Sequence, residues 1–179
     1  MKTRVATEYI LMGSLMKGPM HGYEILQFLD SSLGSTWRLS TSQLYVLLKR
    51  LEEKDLLTSV VEIQNTRPPK RVFSLTPSGK KTFLKWLQSP TLHVRDLRIE
   101  FLAKLFFFHR HPLKGGSKLI KAQAEILEQL RKKIQERQKR EKDPHHKLVL
   151  GFKTTTLEAW RKWLFDHAEP FVTRRHDRA

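Results

Sequence analysis

The chain has 179 residues and a formal net charge of +16, from 34 basic and 18 acidic side chains. It contains no cysteine, which excludes disulfides, thiolate catalysis and zinc sites of the cysteine type. No stretch approaches the roughly 18 uncharged apolar residues that a membrane span needs, so we expect a cytoplasmic protein rather than a membrane one. The charge calls for a polyanionic partner, with nucleic acid as the first candidate and an anionic membrane surface as the second.

The first two predicted elements are helices separated by a turn. The first covers about residues 4–16, because apolar residues recur at helical spacing until Gly18-Pro19 closes it. The second covers about residues 22–33 and ends at Gly34. Its predicted buried residues are Tyr23, Ile25, Leu26, Leu29 and Leu33.

The third predicted helix lies in the stretch "RLSTSQLYVLLKRLEE", residues 38–53. Ser40 and Gln43 form the S-x-x-Q capping box that satisfies backbone donors at a helix start, so the helix begins near Thr41. Four leucines at three- and four-residue spacing form its buried stripe. The opposite side mixes hydroxyls, an aromatic, an apolar residue and a cation, which indicates a surface that contacts something; its residues are Thr41, Ser42, Gln43, Tyr45, Val46 and Lys49.

A β-hairpin follows the third helix. The runs "LLTSVVEIQ" and "KRVFSLT" are rich in β-branched and aromatic residues and have strand length, and "NTRPP" between them is a turn-rich connector. Arg67, Lys70 and Arg71 bracket Pro68-Pro69. The prolines stiffen the tip, so these three cations are predicted to contact DNA phosphates.

The rest of the chain is predicted to be helical. One helix begins at Pro77 with Thr76 as its cap, and another covers "VRDLRIEFLAKLFFFH" up to His109. A long helix covers about residues 117–141, "KDPHH" breaks it, and a final helix covers about residues 147–167. The long helix carries an imperfect heptad seam, which we expect at a dimer interface: Ile120, Leu127, Leu130 and Ile134.

Three helices, a strand, a turn and a strand are the order of a winged helix-turn-helix, in which the third helix enters the major groove of DNA and the hairpin, the wing, lies beside it. We therefore predict a mainly α fold with a small β-hairpin wing, a DNA-binding domain over 1–88 and a helical C-terminal dimerisation domain over 89–179. A homodimer is expected, because the C-terminal helices exceed what the small core of one chain covers.

Three stretches resemble the PadR-type transcriptional regulators: "ILMGSLMKGPMHGYEILQFL", "STSQLYVLLKRLEEKDLLT" and "RVFSLTPSGKKTFLKWL". Their order and spacing match, and the C-terminal helices resemble the larger-tailed subgroup of that family. The resemblance implies a homodimeric repressor that binds a pseudo-palindromic operator and, in some members, releases it when a small aromatic (phenolic) or cationic compound binds. One departure is Val46, where family members usually have proline.

Within the third helix the predicted roles differ. Gln43 suits an adenine edge, Val46 a thymine methyl and Lys49 a phosphate. The capping box competes for Gln43, so Ser42, Tyr45 and Lys49 are the preferred contacts.

A ligand pocket in the C-terminal half is a weaker prediction. A carboxylated aromatic effector would suit a stacking ring beside a cation, and the candidate residues are Phe107, His145, His146, Trp160 and Trp163. The competing interpretation places most of the tail aromatics in the core of the dimer. No metal is predicted, because no carboxylate stands at helical spacing to the pairs His109/His111 and His145/His146.

Two other function classes were weighed. An architectural DNA-binding protein of low sequence specificity is favoured by the +16 charge. An enzyme is disfavoured, because no paired carboxylates, phosphate-binding glycine loop or nucleophile constellation appears, and His21 has no Ser or Asp at catalytic spacing. No catalytic residue and no cofactor is therefore predicted.

Overall fold

The computed structural model of the chain describes residues 2–34, 37–63, 70–111 and 113–173. The chain divides into two compact units, Met1–Leu87 and Gln88–Ala179. Because compactness does not test whether either part folds alone, the division into domains at 1–88 and 89–179 stays a prediction.

The N-terminal unit begins with three helices. α1 covers Lys2–Ser14 and continues into a short 3₁₀ turn, α2 covers Gly22–Leu33 and α3 covers Thr41–Glu53. Gly18, with a φ of 150°, ends the 3₁₀ turn in a conformation that favours glycine. The predicted capping box of α3 is confirmed. The backbone amide of Gln43 donates to Ser40 Oγ at 3.3 Å, and the backbone amide of Ser40 donates to Gln43 Oε1 at 3.2 Å.

The sheet has three antiparallel strands, β1 (Met20–His21), β2 (Leu57–Glu62) and β3 (Lys70–Leu75), in the order β1-β3-β2. The β2–β3 hairpin, called the wing below, confirms the two predicted strands. β1 is not among the predicted elements, because two residues are too few to show an alternating pattern. It pairs Met20 with Phe73 and His21 with Val72.

α4 (Pro77–Gln88) completes the N-terminal unit. Thr76 caps it as predicted, since its hydroxyl accepts a hydrogen bond from the Gly79 amide at 3.0 Å. Ile25 and Leu29 are buried, but Tyr23 is 72% exposed, so its place in the predicted buried set is wrong. Two residues advance a helix by about 200°, which turns Tyr23 away from the side that Ile25 buries.

The C-terminal unit is helical throughout its regular elements. α5 (Val94–Asp96) continues through a π-helical turn, Leu97–Phe101, into α6 (Leu102–Arg110). α7 (Gly116–Arg140) and α8 (Pro144–Trp163) follow, and a second π-helical turn, Leu164–Ala168, leads into α9 (Glu169–Thr173). The predicted helices near 94–109 and 117–141 are confirmed.

The last long helix begins earlier than the predicted residue 147. Pro144 occupies its first turn, and Asp143 caps it by accepting the His146 amide at 2.7 Å. "KDPHH" therefore holds both the break and a new helix start, because proline suits the first helical position. α8 runs antiparallel to α7, since Gln138 bonds the Lys147 carbonyl near the connection and Arg131 reaches Glu158 farther along.

The predicted dimer seam on α7 needs a correction. Ile120 and Leu127 are 0% and 1% exposed within the single chain, so their side chains are not available to a second copy. Leu130 and Ile134 are half-buried. The heptad pattern instead reflects packing inside the unit, where α7 lies against α8.

The described helices were also compared with the dimensions of a bilayer. Within the ranges given above, no helix combines the length and apolarity needed to cross a membrane.

Candidate nucleic-acid interface

The outer side of α3 carries the predicted contact residues. We call Thr41, Ser42, Gln43, Tyr45, Val46 and Lys49 the recognition face; all six are exposed. Four leucines on the opposite side, Leu44, Leu47, Leu48 and Leu51, are buried and hold the helix in place. The predicted orientation of α3 is thus confirmed, whereas contact of these residues with DNA stays a prediction.

The side chains of Gln43 and Lys49 differ in their contacts within the protein. The side-chain oxygen of Gln43 accepts the Ser40 amide at 3.2 Å, which restricts its freedom to reach a base. Lys49 is extended into solvent, with a side chain 77% exposed and its Nζ 4.0 Å from Glu53 Oε1. Lys49 is therefore the more available of the two.

Tyr45 has a structural duty as well as an exposed edge. A Cβ built at Gly22 would lie 2.6 Å from the Tyr45 hydroxyl oxygen, so any larger residue there would displace the tyrosine ring. Its ring is also 6.4 Å from the Phe73 ring, centroid to centroid. This packing joins the Gly22 turn to the recognition helix and leaves Tyr45 45% exposed.

The wing cations do not share one role. Lys70 is exposed at the start of β3, and Arg67 lies outside the described residues. Arg71 Nη2 donates to both carboxylate oxygens of Glu52, at 2.9 and 3.1 Å, and to Ser59 Oγ at 2.6 Å. The guanidinium of Arg71 is thus already bound within the unit, and its contact with a DNA phosphate stays a prediction.

The sequence did not reveal which basic residues near α3 are bound. Glu8 of α1 is buried, and its carboxylate binds Arg50 at 3.5 Å and Lys54 at 2.8 Å.

Tyr23 is another residue that the periodicity misplaced, and it stands exposed in the first turn of α2.

A concave surface borders the recognition face. Trp37, Arg38 and Leu39 lie on one side of it, and its volume is about 550 Å³. The Trp37 indole donates to the Thr7 hydroxyl at 3.2 Å, which fixes the segment before α3 on α1. The remaining lining residues are Thr7, Ser42, Gln43, Val46 and Leu47.

The five residues predicted for an effector pocket do not form one site. Trp160 and Trp163 line an apolar groove of about 620 Å³, together with Leu102, Phe152, Thr155, Thr156 and Ala159. Phe107 is fully buried and its ring stacks on His111, so it does not line the groove. His145 and His146 lie in the first turn of α8, roughly 20 Å from Trp160 at 1.5 Å per residue.

One detail of the histidine pair differs from the sequence-based interpretation. Asp143 stands three residues before His146, and oxygen or nitrogen atoms of Asp143, His145 and His146 lie within 4.8 Å of one another. All three residues are exposed, and one Asp143 oxygen already accepts the His146 amide. The carboxylate at helical spacing, which the sequence reading did not count, thus acts as a helix cap.

The helices, the wing and the recognition face define a winged helix-turn-helix module. Residues 11–85 match the family model described as "Transcriptional regulator PadR-like family". The N-terminal unit of the chain thus contains a segment similar to this family of transcriptional regulators.

Two relatives extend the comparison. The chain is 32% identical over 116 residues to the "Negative transcriptional regulator PadR" of Bacillus subtilis (strain 168), an alignment that covers 65% of this chain and 64% of the relative. It is 27% identical over 94 residues to a probable transcriptional regulator of Mycobacterium tuberculosis, covering 52% and 50% of the two chains. The matched part spans less than two thirds of either relative.

Two solved structures align with most of the chain. Bacillus subtilis PadR in complex with operator DNA aligns with a TM-score of 0.48 at 25% identity, over 92% of this chain and 98% of that one. A structure from Streptococcus mutans UA159 aligns with a TM-score of 0.45 at 27% identity, over 90% and 98%.

Proposed function

We propose that this protein is a sequence-specific transcriptional repressor that binds a pseudo-palindromic operator as a homodimer. The observation that carries the proposal is the recognition face of α3, exposed beside the wing in a domain that matches a family of transcriptional regulators. The Bacillus subtilis relative, named a negative transcriptional regulator, supports repression rather than activation. In this arrangement α3 enters the major groove and the two half-sites lie about one helical turn apart.

The recognition face divides into base-reading and backbone-binding groups. Ser42 and Val46 lie on the first turns of α3, where a recognition helix approaches base edges, and Val46 suits a thymine methyl. Lys49 and the wing residue Lys70 are exposed cations suited to phosphates. Tyr45 offers a half-exposed edge whose reach is limited by its packing on Gly22.

A gel-shift titration tests sequence-specific binding. The probe is the DNA immediately upstream of the protein's own coding region, with an equal mass of random DNA as competitor. We expect the shift to persist under random competitor and to disappear under unlabelled probe. Loss of the shift under random DNA would favour the architectural alternative, which the net charge of +16 supports.

Variants sharpen that titration. Lys49→Gln should lower the log-log salt slope of binding by about 0.9, because one phosphate contact is lost. Lys81→Gln, an exposed lysine on α4, is the matched control and should leave the slope unchanged. Equal slopes for wild type and Lys49→Gln would remove Lys49 from the interface.

The homodimer is proposed from the surface of the C-terminal unit. Leu148 and Phe152 of α8 are 72% and 73% exposed and continue along the helix into the groove beside Trp160 and Trp163. We call these four residues the apolar stripe. Exposed apolar surface of this kind is typical of protein interfaces, and the simplest partner is a second copy.

Sedimentation tests the stripe. We expect a dimer for wild type and a monomer for Phe152→Asp, with Lys153→Asp as a neighbouring exposed control that stays dimeric. A dimeric Phe152→Asp would place the interface elsewhere.

Release by an aromatic effector is part of the proposal. The groove with Trp160 and Trp163 offers ring surfaces in an apolar lining, which suits an aromatic ring. Such a ligand would act by changing the separation of the two recognition helices. Quenching of tryptophan fluorescence by phenolic acids or lipophilic cations, together with operator release, is the expected result; neither effect with any compound would contradict it.

A further inference from the structure

We propose that Glu52 and Arg71 form a clamp that sets the position of the wing relative to α3, so that Arg71 acts as a positioning residue in DNA recognition. This inference rests on the proposed function, and it assigns Arg71, a wing cation already bound within the unit, a role inside the protein. The clamp consists of Glu52, Ser59 and Arg71.

The clamp joins three elements through short contacts. Arg71 of β3 donates from Nη2 to Glu52 Oε1 at 2.9 Å and to Oε2 at 3.1 Å. Ser59 of β2 donates to Glu52 Oε1 at 2.6 Å and accepts from Arg71 Nη2, also at 2.6 Å. Charge-assisted hydrogen bonds of this length are stronger than neutral ones. Glu52 lies in the last turns of α3, so the carboxylate holds both wing strands to the recognition helix.

Burial makes the clamp more than a surface ion pair. The Glu52 side chain is only 20% exposed, whereas that of Arg71 is 48% exposed. The guanidinium carbon lies 5.3 Å from the centroid of the Phe73 ring, which is fully buried. The arginine is therefore held by a ring on one side and a carboxylate on the other, which restricts its conformers.

The position of the clamp along the sheet explains its purpose. β1 covers β3 only at Phe73 and Val72, whereas β2 pairs with β3 out to Glu62 and Lys70. Arg71 is thus the first β3 residue beyond the three-stranded part of the sheet. The two-stranded part has little packing of its own, since Val61 is 55% exposed and its neighbour Glu62 is exposed as well. A two-stranded ribbon is marginally stable alone, so a tether at this point sets the direction of the wing.

The rival interpretation makes the opposite prediction. In this rival interpretation Glu52 only neutralises Arg71 until a DNA phosphate replaces it. Removing the Glu52 charge should then free the Arg71 cation and strengthen DNA binding. If the clamp positions the wing, the same change should weaken operator binding despite the lost negative charge. Whether Glu52→Gln binds operator more weakly or more tightly than wild type therefore distinguishes the two interpretations.

The experiment uses the full chain with Glu52→Gln, Arg71→Gln and the double variant. Operator and random-DNA affinities are measured at several salt concentrations. We expect each single variant to bind operator about tenfold more weakly, and the double variant to be no weaker than the singles, because both break one interaction. The salt slope should not change, because no phosphate contact is lost.

Glu53→Gln is the matched control. It removes the neighbouring carboxylate of α3, which faces Lys49 and not Arg71, and should leave operator affinity equal or tighter. Tighter binding and a steeper salt slope in Glu52→Gln would overturn the clamp, as would a slope lowered by about 0.9 in Arg71→Gln. If Arg71→Gln fails to fold, Arg71→Met replaces it and should weaken operator binding to the same extent, because it keeps an apolar stem and removes the donor to Glu52.

Hydrogen exchange separates failure of the clamp from failure of the proposed function. In Glu52→Gln those amides of the Val60–Val72 and Val61–Arg71 pairs that bond across the two wing strands should exchange faster, while those of Leu47 and Leu48 in α3 stay protected. Unchanged exchange at the wing amides would overturn the clamp. If wild type shows no preference for operator over random DNA, the proposed function fails. The exchange rates alone then test whether the clamp holds the wing in place.

Discussion

The two units hold their buried charges in different ways. In the N-terminal unit the buried Glu8 meets Arg50 and Lys54, whose side chains extend to the surface and are 38% and 48% exposed. In the C-terminal unit Lys104 is 1% exposed and binds Glu100, the Ser89 carbonyl and the Thr91 hydroxyl. The first arrangement borders water, whereas the second is almost entirely internal.

The outer surfaces of the two units differ in polarity. The recognition face of α3 mixes well-solvated hydroxyls and a cation with the exposed side chains of Tyr45 and Val46. The apolar stripe of α8 exposes Leu148 and Phe152. The contrast teaches that the N-terminal unit is suited to a charged, hydrated partner, whereas the C-terminal unit has a surface that is better covered by apolar groups.

The largest expected effect comes from breaking the internal charge pair. Glu100→Gln leaves the buried Lys104 ammonium without its counter-charge and should lower the free energy of unfolding by about 3 kcal/mol. Urea denaturation followed by circular dichroism measures it. Glu158→Gln breaks an exposed contact to Arg131 and, as the control, should cost about 0.5 kcal/mol.

The pH dependence sharpens the same prediction. Burial lowers the pKa of Lys104 from its ordinary value of 10.5, while Glu100 partly opposes this through a hydrogen bond and its charge. The folded state therefore releases this proton at a lower pH than the unfolded state, and the cost of the buried charge diminishes as pH rises toward 10.5. The loss in free energy of unfolding caused by Glu100→Gln should become smaller from neutral to alkaline pH. A loss that does not change with pH would contradict the role of Glu100 as counter-charge to Lys104.

A smaller loss is expected at Gln123. Its side chain accepts from the Thr91 amide at 2.7 Å and donates to the Thr91 carbonyl at 2.9 Å, and both residues are buried. Gln123→Ala leaves two backbone groups without partners and should cost about 2 kcal/mol in the same denaturation assay. Gln123→Glu retains the acceptor alone and should cost at least as much, because it also buries a charge.

The N-terminal unit should respond to a change of one methyl group. Gly22→Ala places a Cβ 2.6 Å from the Tyr45 hydroxyl oxygen, and displacing this half-exposed side chain should cost about 0.5 kcal/mol. The strain should vanish in a Tyr45→Ala background, which a double-mutant cycle in thermal denaturation measures. Additive effects would show that the two residues are independent.

The weakest expected effect concerns Glu128 in acid. A hydrogen bond from Arg131, aided by the charges of Arg131, Arg161 and Lys132, lowers the pKa of Glu128 from 4.5 to about 2. Because the folded-state pKa is lowered, the stabilisation is present above pH 4.5 and is lost as pH falls toward 2. Glu128→Gln should therefore show a shallower loss of stability across that window than wild type, while the exposed control Glu125→Gln should match wild type.

Much of the local structure could be predicted because its causes are local. The capping box of Ser40 and Gln43, the leucine stripe of α3 and the Thr76 cap depend on residues within a few positions of one another. Periodicity was less reliable where a helix has more than one apolar side. Tyr23 on α2 and the seam on α7 show this, since burial there depends on which element packs nearby.

The sequence by itself determined the order of the elements, the orientation of α3 and the family resemblance, because helix caps, strand patterns and turn residues act over short spans of chain. Tertiary structure decided which of those residues are already bound. Arg71 meets Glu52 across 19 positions, Tyr45 covers Gly22, and Lys104 becomes internal through a carbonyl 15 positions away. Such pairs form only when folding brings distant segments together, so no local pattern marks them.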